Sequence, residues 1–151
     1  MMTLLVIVLV CLLPPSGRAA STSPVAVVHG GTEISAFTER DFRRLFLGTQ
    51  ERWDAGERVT LVLPPPGSET MTWLCRELRV SEHLYWRGLM ERALRGDIQK
   101  PLQARDLSHA LELTAETVGA ITPFGPNEVD ALPEGDPSAV GVEVVWMGAH
   151  P

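Results

Sequence analysis

"LVLPPPGSETMTWL", residues 61–74, decides how the rest of the chain is read. An apolar run stops at Pro64–Pro66, a Gly67-Ser68 pair turns the chain, and helical spacing begins at once. Met71, Leu74, Cys75 and Leu78 recur at i, i+3, i+4 and i+7, one face of a helix. A buried strand that turns directly into a helix is an α/β unit, and its turn leaves the first helical N–H groups without partners inside the helix. Ser68 is placed to cap those groups, and Cys75 falls on the buried face as a core thiol. A helix start beyond a strand's carboxyl end also attracts anions. Glu69, in the first turn, competes for the same positive end of the helix dipole. Capping and ligand binding both stay open on these residues alone.

The same grammar extends in both directions. "SPVAVVH" (23–29) is a β-branched run bounded by Pro24 and Gly30-Gly31, hence a strand. "FTERDFRRLFLG" (37–48) reads as a helix with Thr38 as cap and Asp41 three residues on. Phe37 stands ready to staple on Phe42, and Gly48 is the stop. A turn at Asp54–Gly56 leads to a strand over 58–63. Beyond the opening stretch, residues 81–96 give a helix from Ser81 to Gly96, apolar over a wide face. Residues 104–119 give another, capped by Asp106 or Ser108 and ended by Gly119. Short and long strands are expected at 120–122 and 139–147, with a Pro/Gly/Asp/Glu-rich loop between them. Strands alternating with helices imply a single α/β domain with crossover connections.

Residues 1–20, "MMTLLVIVLVCLLPPSGRAA", read as a secretory signal peptide. Its apolar core ends at Pro14-Pro15, and small residues allow cleavage after Ala19 or Ser21. That core is too short to span a bilayer, so no stable membrane span is expected after cleavage. Residues 21–151 would then form the functional domain in the periplasm, with Cys75 as its one cysteine and no intrachain disulfide. Net charge is −6, and residues 106–151 hold eight acids and no Lys or Arg. Nucleic acid is therefore excluded as a partner, because it needs a basic footprint.

Enzyme chemistry finds no support. His29, His83, His109 and His150 are far apart and share no metal-ligand spacing. There is no G-x-S-x-G elbow, and Lys100, the one lysine, belongs to no phosphate loop. No motif requires a cofactor. The chain is read as a non-enzymatic protein.

Residues 37–74 resemble a stretch of the phosphate-type solute-binding proteins of ABC transporters, which are type 2 periplasmic binding proteins. The resemblance rests on Phe42, Arg43, Phe46, Leu47 and Gly48, then Trp53, Gly56 and Val59, then Gly67 and Ser68. "LYWRGLMERALRG" (84–96) is similar to a further helix of that family, and "LTAETVGAITP" (113–123) to a third segment through Val118, Gly119, Ala120 and Ile121. The resemblance implies a single lobe of the type 2 fold, a mixed sheet flanked by helices, over residues 21–151. It implies an extracytoplasmic substrate-binding-protein-like domain that takes phosphate or another small oxyanion for an ABC transporter or an envelope sensor. The implied ligand-binding residues are Gly67, Ser68, Glu69, Thr70 and Thr122.

The departures bear on the ligand rather than the fold. The family's arginine three residues before the glycine is Pro64 here, and the glycine after the serine is Glu69. Thr122 and Pro123 replace a glycine and an aromatic residue. These changes, with the acidic tail, support an alternative: a ligand-free protein-interaction or sensory accessory module on the same scaffold.

Overall fold

Residues 25–34, 37–128 and 141–146 are described by the computed structural model of the chain. The expected signal peptide and most of the acidic loop before the last strand lie outside these residues. The elements are β1 (Val25–His29), α1 (Glu39–Phe46), β2 (Thr60–Leu63), α2 (Glu69–Leu78) and α3 (Glu82–Arg95). They continue with β3 (Leu102–Gln103), α4 (Leu107–Glu116), β4 (Ala120–Phe124) and β5 (Val142–Trp146). The α/β class expected from the sequence is the one found: a five-stranded mixed sheet with helices on both faces.

The strand order is β3-β2-β4-β1-β5. β2 runs parallel to both β3 and β4, whereas β1 is antiparallel to β4 and β5. Alternate side chains therefore divide between two cores, because successive residues of a strand face opposite sides. Ala26 and Val28 of β1, Leu61 and Leu63 of β2 and Ile121 of β4 pack with the buried residues of α1, α2 and α3. Val27, Val62, Ala120 and Phe124 face the other way, where α4 covers them through Leu107, Ala110, Leu111 and Leu113. The result is three layers, with α4 alone on one side.

The helix starts follow their local sequence. Thr38 Oγ1 accepts from the Asp41 amide at 3.2 Å while Asp41 Oδ2 accepts from the Thr38 amide at 3.0 Å, the reciprocal capping box. Ser68 Oγ accepts from the Met71 amide at 3.2 Å, and Asp106 Oδ1 from the His109 amide at 2.9 Å. Ser81 occupies the cap position of α3 but its side chain makes no cap hydrogen bond. Cys75 is buried, and burial, followed by the charge of Glu82, pushes its thiol pKa up. It is a protonated core thiol.

Beyond shifts of a few residues at element starts, three features differ from expectation. β3 was not expected: two residues pair with Val62 and Leu63 across a long sequence separation and leave no local period. α4 ends at Glu116, not at Gly119, because Thr117 turns extended and Gly119 starts the next strand's turn at φ +75°. β4 continues through Pro123 to Phe124, and Pro123 is paired with Ala26 across the antiparallel β1 ladder.

Candidate functional site

β2, β3 and β4 are adjacent and parallel, so Leu63, Gln103 and Phe124 end at the same edge of the sheet. From that edge the chain enters α2 through Pro64–Ser68, enters α4 through Ala104–Asp106, and continues into Gly125–Glu128. Crevices outside the carboxyl ends of parallel strands are where α/β folds hold ligands. Two cavities open here. One, of about 130 Å³, is walled by Ser68, Thr70, Asp106, Leu107, Thr122 and Glu128 among others. The other, of about 220 Å³, is walled by Thr70, Thr72, Trp73, Arg76, Asn127 and Glu128 among others.

The five residues expected from the sequence are distributed unevenly. Ser68, Thr70 and Thr122 meet in the smaller cavity, brought together from the start of α2 and the α4-facing side of β4. Glu69 lines only the larger cavity, where its Oε1 accepts from Asn127 Nδ2. Gly67 lines neither cavity. Its amide donates to the carboxylate of Glu82 at the start of α3, at 3.0 Å to Oε1. That amide is therefore occupied from outside the turn, by a residue fifteen positions away.

The remaining helix-start amides are open. In α2 the Met71 amide goes to Ser68 Oγ and the Thr72 amide to Ser68 O. Those of Glu69 and Thr70 find no acceptor among the described residues. In α4 the His109 and Ala110 amides are taken by Asp106, and those of Leu107 and Ser108 likewise find none. Two ten-residue helices thus present their positive ends at one crevice.

Two side-chain oxygens at the same place also lack partners. Thr70 is 3% exposed, yet its Oγ1 makes no hydrogen bond among the described residues, and the buried Oε2 of Glu128 makes none among them either. A Cβ built on Gly125 would lie 3.6 Å from the first and 4.0 Å from the second, so both oxygens border the space beside Gly125. Each such orphan costs about 1–3 kcal/mol. Thr70→Val keeps the branched shape and removes the hydroxyl. It is expected to raise stability by about 1 kcal/mol, read as a higher urea midpoint at unchanged slope, while weakening any ligand held here. A lower midpoint would mean that the hydroxyl has a structural partner.

Glu82, Glu128 and Asp106 were not singled out by sequence reasoning as site neighbours. Of the two cap candidates, Asp106 and Ser108, Asp106 is the one that caps α4. Nothing in the local pattern marks Glu82 or Glu128, because both arrive through tertiary packing. Among the described residues, no group of three or more His, Cys, Asp or Glu is placed to hold a metal, and no helix is long and apolar enough to cross a membrane.

No protein-family model and no curated protein matches the chain. Solved structures do. The chain is similar to PstS from Borrelia burgdorferi at TM-score 0.58 and 11% identity, covering 85% of this chain and 49% of that one. It is similar to a phosphate ABC transporter substrate-binding protein with bound phosphate from Clostridium perfringens at TM-score 0.55 and 11% identity, over 83% of this chain and 44% of that one. An ABC-type phosphate transport receptor from Vibrio cholerae gives TM-score 0.53 at 11% identity, over 85% and 47%. The chain spans about half the length of these structures. At this identity the likeness is one of fold: the described residues are similar in architecture to about half of each of these structures.

Proposed function

We propose that this chain is an extracytoplasmic solute-binding domain that holds a small oxyanion in the crevice walled by Ser68, Thr70 and Thr122. The observation that carries this reading is the convergence of the α2 and α4 starts at the carboxyl ends of β2, β3 and β4, where Thr70 and Leu107, whose amides lack acceptors among the described residues, wall one cavity. Oriented amides and a hydroxyl bind an anion without covalent chemistry, and no reaction is assigned to the site. The bound phosphate in the similar Clostridium perfringens protein supports an oxyanion as ligand class, and the names of the Clostridium perfringens and Vibrio cholerae structures support service to a transporter. Because the described residues form one lobe, an envelope protein or a second lobe-like surface would complete the cleft.

The test is calorimetric titration and thermal unfolding with phosphate, sulfate and alkylphosphonates. A ligand at 100 times its dissociation constant is expected to add about 2.7 kcal/mol of apparent stability. No heat and no shift with any oxyanion at millimolar concentration would overturn the reading.

The alternative, a ligand-free interaction or sensory accessory module, is favoured by a specific feature. Glu82 occupies the Gly67 amide, and the carboxylates of Asp106 and Glu128 stand in the cavity wall. Co-purification of an envelope protein with no anion response would select it.

A further inference from the structure

Thr70 and Glu128 form the wall common to both cavities, and each aims a buried oxygen without a partner at the space beside Gly125. A fully ionised oxyanion offers that carboxylate no donor, whereas an ammonium does. We infer that the ligand is a small zwitterion. Its oxyanion rests on the open amides of α2 and α4, and its ammonium lies between the Glu128 carboxylate and the Thr70 hydroxyl. The inference depends on the binding role proposed above and adds the ligand's second charge.

The crevice holds groups of opposite polarity, with the Asp106 carboxylate at the α4 start already engaged by the His109 amide. Helix-start amides are donors and carry the positive ends of two dipoles. An ionised carboxylate only accepts, so Glu128 Oε2 meets nothing but repulsion from a fully ionised oxyanion, whereas an ammonium offers it a donor and an opposite charge. Glu128 makes no ion pair among the described residues. Arg76, the one basic side chain in the wall of the larger cavity, is largely exposed and reaches Glu77 at 3.9 Å instead. Thr70 Oγ1 suits the junction because a hydroxyl both donates to an oxyanion and accepts from an ammonium.

Size narrows the class. At about 30 Å³ per water, the smaller cavity of about 130 Å³ holds the volume of about four waters, which is the scale of one tetrahedral or carboxylate group. The inference places the ammonium on a short tether from the oxyanion, because Thr70 and Glu128 wall both spaces. Short aminoalkylphosphonates and the smallest amino acids have this form.

Calorimetric titration of the full chain with aminomethylphosphonate, methylphosphonate and methylamine tests the inference. Aminomethylphosphonate is expected to bind at least about tenfold tighter than methylphosphonate, and methylamine alone not measurably. Glu128→Gln is expected to bring the two phosphonates within about threefold of each other, its thermal midpoint reporting that it is folded. Equal affinities in the unsubstituted chain, or a preference that survives Glu128→Gln, would overturn the zwitterion. Methylphosphonate or phosphate binding with no gain from the amine defeats this inference alone, whereas no response to either phosphonate, phosphate or sulfate defeats the oxyanion reading as well.

Discussion

Gly119→Ala is expected to destabilise the protein by more than about 3 kcal/mol. A methyl group there would sit 2.3 Å from the carbonyl oxygen of Arg58, which is backbone and has no rotamer to move aside. The residue also holds φ +75°, a left-handed conformation that costs a non-glycine residue about 1–2 kcal/mol before any clash. The damage spreads because the Gly119 carbonyl accepts two hydrogen bonds. One comes from the Thr60 amide at 3.0 Å, where β2 begins to pair with β4, and the other from Trp53 Nε1 at 2.9 Å. Moving this carbonyl leaves a buried indole donor unpaired and loosens the first rung of the parallel ladder. Gly96→Ala is the control. Gly96 has φ +81° but no atom within 4 Å of a built Cβ, so only the conformational cost of about 1–2 kcal/mol applies. Urea unfolding of both variants checks the contrast, and equal losses would show that the Arg58 contact is unimportant. Against a domain stability of about 5–15 kcal/mol, the first variant loses a large share.

Phe42→Ala is expected to cost about 3–5 kcal/mol and to open α1 before the rest of the domain. Phe42 is 1% exposed, with its ring centroid 4.6 Å from that of Phe46 and 5.9 Å from that of Trp73 on α2. α1 has eight residues, well below the length at which an isolated helix is stable in water, so its capping box cannot sustain it alone. The stripe of Phe42, Leu45 and Phe46 holds it on the sheet. Removing the central ring leaves a cavity between two helices and takes an aromatic partner from each neighbour. Hydrogen exchange should show the amides of α1 losing protection ahead of those of β2 and β4, alongside a lower urea midpoint. Uniform loss of protection across the chain would show that α1 does not open separately.

Reading the Gly-Ser turn as the end of a strand and the start of a helix was sufficient to place the chain in the α/β class. The signals lie within four residues of one another. Thr38 with Asp41, Ser68 with Met71 and Asp106 with His109 are contacts that chain geometry brings within reach once a helix forms. The burial of Phe42, Leu45, Met71, Leu74 and Cys75 follows from helical period in the same way. By contrast, β3 has no period of its own, and its two residues become a strand only because Val62 and Leu63 supply the partner edge.

The crevice divides along the same line. Local order in the sequence determined that Ser68 caps α2 and that an α/β sheet ends at this turn, because both depend on neighbours in the chain. Only the tertiary structure decided that Thr122 joins Ser68 and Thr70 in one cavity, that Glu82 takes the Gly67 amide, and that Thr70 and Glu128 are left with unpaired oxygens beside Gly125. Those outcomes depend on parallel strands ending side by side and on residues 15 to 58 positions apart meeting across the turn. Periodicity and capping describe how a segment folds on itself; which hydrogen-bonding groups stay unsatisfied is set by what packs against that segment from elsewhere.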